Sequence, residues 1–199
     1  MHLPDEDPGS FSLFVDWVYR STVPHCNTRD HFVNLFKLYV FAEKMYSNEL
    51  ANRTMDRIRF TEYHNPKARV TVPLTCYVYK NTPEDSPLRQ YCIHDLAYNL
   101  WNAKIESTIP DNHNLRPILE CSQTQNDMVL DFFGFLRNNP TGIDNHTEDS
   151  DLSGKECEFF FCNFHRHGVK EICYTARSAV DSQNWPKGQS MDDFGDFSY

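Results

Sequence analysis

The residues best suited to chemistry sit near the end of the chain: Cys157, Cys162, His165, His167 and Cys173, spaced C-x4-C-x2-H-x-H-x5-C. Thiolates and imidazoles are the ligands of tetrahedral zinc, and the Phe-rich stretch EFFFCNF among them has no other evident way to hold itself together. The spacing departs from the C-x2-C and H-x3-5-H pattern of a zinc finger. The competing reading is a small packed segment with reduced, buried cysteines and exposed histidines. Nucleophilic catalysis finds less support. With nine histidines and seven cysteines, chance Cys/His pairs are certain, while G-x-S-x-G, H-E-x-x-H and a glycine-rich phosphate loop are all missing. Asp5, Glu6 and Asp7 are most simply a solvated acidic lead that suits a helix N-terminus. The expectation is a protein that is not an enzyme, takes no small-molecule substrate and needs no cofactor, with zinc at the Cys/His cluster as the alternative.

The elements that must position these residues come from a chain of 199 residues, enough for one domain or a domain with a tail. A hydrophobic fraction of 40% can build a core. The formal charge of -9 argues against nonspecific nucleic-acid or anionic-membrane binding, both of which need basic patches. No apolar run approaches the roughly 18 residues of a membrane helix and the start has no secretory pattern, so an intracellular protein, cytoplasmic or nuclear, is expected. The odd, scattered cysteines fit reduced thiols. In that setting the glycosylation sequons at Asn52 and Asn145 stay unused.

Three helical patterns fill the first sixty residues. Phe11, Phe14, Val15 and Val18 recur at i, i+3, i+4 and i+7, with Leu13 and Trp17 on a second edge and Ser10 as the capping hydroxyl. From Asp30 to Met45 only Asn34, Lys37 and Lys44 interrupt an apolar surface, and Asn27 or Thr28 can cap that helix. Both helices need cover on several sides. The third, from about Asn48 to Phe60, has Leu50, Ala51, Met55 and Ile58 on one face; Asn52, Arg53, Asp56, Arg57 and Arg59 place its other face in water. Beyond it, Pro73 suits the first turn of a short helix with Leu74, Tyr77 and Val78, although Val70 to Val72 could also form an edge strand. Ser86-Pro87 opens a helix with a Leu88, Cys92, Leu96, Leu100 stripe, and Gln125 to Arg137 forms another around Met128, Phe132 and Leu136.

The strings Leu3-Pro4-x-x-Asp7-Pro8, Trp17-x-Tyr19, Leu38-Tyr39-x-x-Ala42-Glu43-Lys44 and Leu50-x-Asn52-x-x-Met55-Asp56 stand in a fixed order. Together they resemble the C-terminal half of a BTB/POZ domain of the kind abundant in filamentous fungi. Val78-Tyr79-Lys80-Asn81-Thr82 and Ser86-Pro87-Leu88-Arg89 are similar to strings that follow the domain there, which extends the resemblance to about Trp101. A C-x2-H-x-H string near the C-terminus recurs in the same group.

The resemblance implies the helical portion of an α/β fold whose first half, a small sheet and a helical hairpin, has no counterpart here. The expected fold is therefore mainly α. Residues 1–62 form a partial BTB/POZ domain, 63–140 a helical extension, 141–156 an acidic linker, 157–180 the Cys/His segment and 181–199 a disordered acidic tail. Either the N-terminus is truncated or the C-terminal region covers the first two helices. Family members self-associate, and some serve as substrate adaptors for cullin-type ubiquitin ligases. The implied function is a noncatalytic protein–protein interaction module that binds a protein partner, with Phe11, Phe14, Trp17, Phe32, Phe36 and Tyr39 as contact candidates. The alternatives are a small zinc-stabilised binding protein and a truncated product without function.

Overall fold

The computed structural model describes residues 7–25, 28–65, 68–102, 118, 120, 126–139 and 164–167. The linker, most of the Cys/His segment and the acidic tail lie outside them. Internal contacts divide the chain into Met1–Arg166 and His167–Tyr199, a division that falls within residues 157–180. His167 is the described residue of the second unit; the remainder of the description concerns the first.

The protein is mainly α. Its helices are α1 (Pro8–Arg20), α2 (Arg29–Lys44), α3 (Asn48–His64), α4 (Val72–Asn81), α5 (Pro87–Asn102) and α6 (Asn126–Asn138), and no strand forms among the described residues. The extended reading of Val70 to Val72 is thus corrected: Val72 opens α4, and Pro73 sits in the first turn, where its missing N–H costs nothing.

Helix α1 begins three residues earlier than the Ser10 cap implied. Asp7 is the cap, its carboxylate accepting from Gly9 and Ser10 N–H, while Pro8 takes the first helical position. A carboxylate outcompetes a hydroxyl there because it also answers the positive end of the helix dipole. Ser10 is buried and donates back to the Asp7 carbonyl at 2.9 Å. Asp7 further pairs with Lys37 at 2.7 Å, and that ammonium holds the carboxyl below its usual range. Gly9 lies so close to Asn34 that a Cβ would meet its Nδ2 at 2.3 Å. The narrow polar stripe of α2 is therefore where the start of α1 is fastened. Thr28 caps α2 as expected, accepting from His31 N–H.

Helix α2 is the centre of the larger core. It packs against α1, α3 and α4. Phe32, Leu35, Phe36, Leu38, Tyr39, Val40, Phe41 and Ala42 are all buried, joined by Leu50, Met55 and Ile58 of α3, Leu74 and Val78 of α4, Leu88, Tyr91 and Cys92 of α5, and Phe164. Of the described C-terminal residues, Phe164 joins this core. A second core lies between α4, α5 and α6, where Tyr79, Ile93, Ala97, Met128 and Phe132 meet, and Leu96 touches both cores. Arg89 finishes α4: its guanidinium donates to the carbonyls of Tyr79 and Thr82, satisfying end-of-helix acceptors, and lies over the Tyr79 ring.

Cysteine chemistry departs from the expectation of reduced thiols at one position. Cys76 is disulfide-bonded, whereas Cys92 is a free thiol buried in the core, its pKa pushed up by desolvation. The other five cysteines lie outside the described residues.

Candidate interaction site

The polar face of α3 is where the structure corrects the sequence most. Asn52, Asp56 and Arg59 follow one another at i, i+4 and i+7, so they form one stripe along the helix. Asn52 and Arg59 are buried, with Arg59 only 7% exposed, because Phe164, His165 and Arg166 lie along that stripe. Their pairings run in opposite order to α3, from Arg166 at Asn52 to Phe164 at Arg59.

Each contact has a distinct chemistry. The Asn52 side-chain amide meets the main chain of Arg166 twice: Oδ1 accepts from the N–H at 2.8 Å, and Nδ2 donates to the carbonyl at 3.0 Å. An amide group thus does for this segment what a neighbouring strand would do. The His165 side chain is fully buried, its Nε2 lying 2.8 Å from Asp56 Oδ1. The Phe164 ring packs edge-on to Tyr91 at 5.3 Å, with the Arg59 guanidinium 5.8 Å from its centroid. The Arg166 guanidinium reaches Glu43 Oε1 and Asp85 Oδ1, each at 3.4 Å, and donates to the Asp85 carbonyl.

Glu43, at the end of α2, is the electrostatic pivot. Its side chain is 6% exposed, and burial raises its pKa despite the opposing help of Ser86 and Arg166. Ser86, expected as a helix-capping hydroxyl, donates to Glu43 Oε2 at 3.0 Å. Oε1 makes no hydrogen bond among the described residues and faces Arg166. Beside it opens a pocket of about 410 Å3, lined by Glu43, Tyr46, Ser47, Asn48, Asp85 and Arg166 among others. Tyr46 on its rim holds a left-handed backbone at φ 54°, an unusual conformation for a bulky residue.

The other concentration of charge is buried and structural. Glu62 on α3 and Asp95 on α5 face one another; the Tyr91 hydroxyl and Val70 N–H donate to Glu62, and Asn99 donates to Asp95 at 2.8 Å. Desolvation pushes both carboxyls up, and Glu62 raises Asp95 further, while Arg69 opposes both. Tyr91 is pushed up by the same burial. The two carboxyls favour holding a proton between them.

Of the residues expected to bind zinc, Cys157, Cys162 and Cys173 lie outside the described residues, His165 belongs to the first unit and His167 to the second. Among the described residues no three metal-binding side chains come together, and His165 commits Nε2 to Asp56. Of the expected partner contacts, Phe32, Phe36 and Tyr39 are corrected: all are fully buried because α2 is covered on every apolar side. Phe14 and Trp17 are partly buried against the core, and Phe11 is exposed. Asn52, Asp56, Arg59, Glu43 and Asp85 went unnoticed as a site. The i, i+4, i+7 spacing of the first three was the available signal, and Arg59 was expected in water. The sequon at Asn52 is closed in this fold, since its amide is occupied.

No helix of the described residues is long and apolar enough to cross a membrane. No family model, curated protein or solved structure matches the chain.

Proposed function

We propose that the chain is a noncatalytic protein–protein interaction module, a BTB-like adaptor, and that α1 is the face through which it self-associates. The observation that carries this reading is the apolar edge of α1: Phe11, Val18 and Tyr19 are 41%, 52% and 85% exposed on a helix that packs on α2. Fully burying side chains of this kind is worth about 1.5 to 3 kcal/mol each. Grouped apolar surface marks interaction sites. Trp17 Nε1, buried without an acceptor among the described residues, adds a donor that an incoming surface could use.

The resemblance of residues 3–60 and 78–101 to fungal BTB/POZ proteins supports the same function. It also supports an intracellular setting, cytoplasmic or nuclear, and the prospect of recruitment to a cullin-type ubiquitin ligase. That setting is reducing, so the proposal requires the fold to persist with Cys76 reduced. Sedimentation equilibrium of the full chain, with and without reductant, tests it. Concentration-dependent association that Phe11→Glu and Val18→Glu abolish, with helical circular dichroism unchanged, is expected. A wild-type monomer at all concentrations would overturn the self-association.

A further inference from the structure

The α3 stripe and its occupant point to a second interaction surface, independent of α1. We propose that Asn52, Asp56, Arg59, Glu43 and Asp85 form a recognition groove for an aromatic-His-Arg peptide, and that Phe164-His165-Arg166 is its occupant in cis.

The contacts divide the work as a peptide-binding site does. Asn52 reads main chain only, through both polar atoms of its amide, and so fixes register without regard to side chains. Three side-chain subsites then follow. Tyr91, His94 and Arg59 receive the aromatic ring; Asp56 receives the imidazole; Glu43 and Asp85 receive the guanidinium. Charge complementarity selects this occupant: three carboxylates face a His and an Arg contributed by a chain whose formal charge is -9. The site is also larger than the segment that fills it. The pocket beside Arg166 continues the groove past the guanidinium, and buried Glu43 Oε1 faces that end with no hydrogen bond among the described residues. There Arg166 meets Glu43 Oε1 as an ion pair at 3.4 Å, and a peptide that supplied a further donor would add a hydrogen bond to it.

A tethered occupant competes at an effective concentration on the order of mM, so an outside peptide binds only to the fraction of molecules whose groove has opened. The test uses the full chain and a fluorescein-labelled peptide with the sequence of residues 163–168, NFHRHG, followed by anisotropy. Two variants weaken the cis occupant in steps: Arg166→Ala, which keeps the Phe164 anchor, and F164A/H165A/R166A. The triple variant is expected to bind the peptide at least about tenfold more tightly than wild type, with Arg166→Ala between them. Adding Asn52→Ala to Arg166→Ala should remove the gain, and a scrambled peptide should bind neither variant. Absence of saturable binding to an Arg166→Ala chain that retains its helical spectrum and cooperative unfolding would overturn the proposal. So would binding indifferent to Asn52→Ala, or collapse of the helical fold in both cis variants, which would make the segment a fixed part of the core.

Discussion

Two helix faces trade the places their compositions would assign them. The stripe Asn52, Asp56, Arg59 on α3 is polar enough to belong in water, yet it is covered; the edge Phe11, Val18, Tyr19 on α1 is apolar enough to belong in a core, yet it is exposed. Burial costs a polar face little when its groups find partners: the Asn52 amide and the Asp56 carboxylate of α3 do so, and the Arg59 guanidinium lies over the Phe164 ring. An apolar edge is buried only if enough chain packs against it. Helix α2 takes up cover from α1, α3 and α4, within a core that α5 and Phe164 also join, and the outer side of α1 is left over. Amphipathic pattern therefore reports what a face can tolerate, and the partner decides what it receives.

The sharpest test of this contrast is a pair of identical truncations. Phe36→Ala, in the centre of the core, should cost about 3 to 5 kcal/mol in urea unfolding, whereas Phe11→Ala should cost under about 1 kcal/mol. Equal losses would mean that α1 is packed as tightly as α2 and would erase the comparison. Next in size is Asn52→Ala, which removes both main-chain bonds of Arg166 and should cost about 1 to 3 kcal/mol. If it cost nothing, the covered face of α3 would be covered only loosely.

A smaller effect comes from Glu62, one turn beyond Arg59 on α3, where it meets Asp95. Both carboxyls bind protons more readily in the folded protein than in the unfolded chain. Their stabilising contribution is complete below the ordinary carboxyl range and is lost as pH rises toward the raised values. Asp95→Asn removes one ionisation from the pair, so at pH 7 it should stabilise by on the order of 1 kcal/mol, with the gain shrinking toward pH 4. Melting temperatures of the two proteins across that range would show it, and a gain that grew on acidification would have the wrong sign. Smallest is Val18→Ser, expected within about 0.5 kcal/mol of wild type by the same melts while it weakens the association assigned to α1.

Much of the helical frame was legible because it depends on neighbours in sequence. Thr28 capping α2, Pro73 and Pro87 in first turns, and the break between α2 and α3 follow from local rules. The start of α1 is less legible because Ser10 also satisfies the capping preference; the Asp7 carboxylate that prevails answers the helix dipole and is further held by Lys37, thirty residues away. The groove was less legible still. Asn52 and Arg166 are 114 positions apart, and nothing in local periodicity connects an Asn on a helix to the main chain of a distant Phe-His-Arg. Conversely, the all-round apolar character of α2 did announce its central place, although it could not say that its core would include Phe164.

The way Asn52 grips Arg166 has an evolutionary consequence. Because the amide touches only atoms that every residue but proline possesses, drift in the side chain at position 166 leaves register intact, whereas any change at position 52 disturbs it. Related sequences should hold Asn52 fixed, let positions 56 and 165 change in concert, and exchange partners freely between 43, 85 and 166. Proline should be barred from 166 throughout.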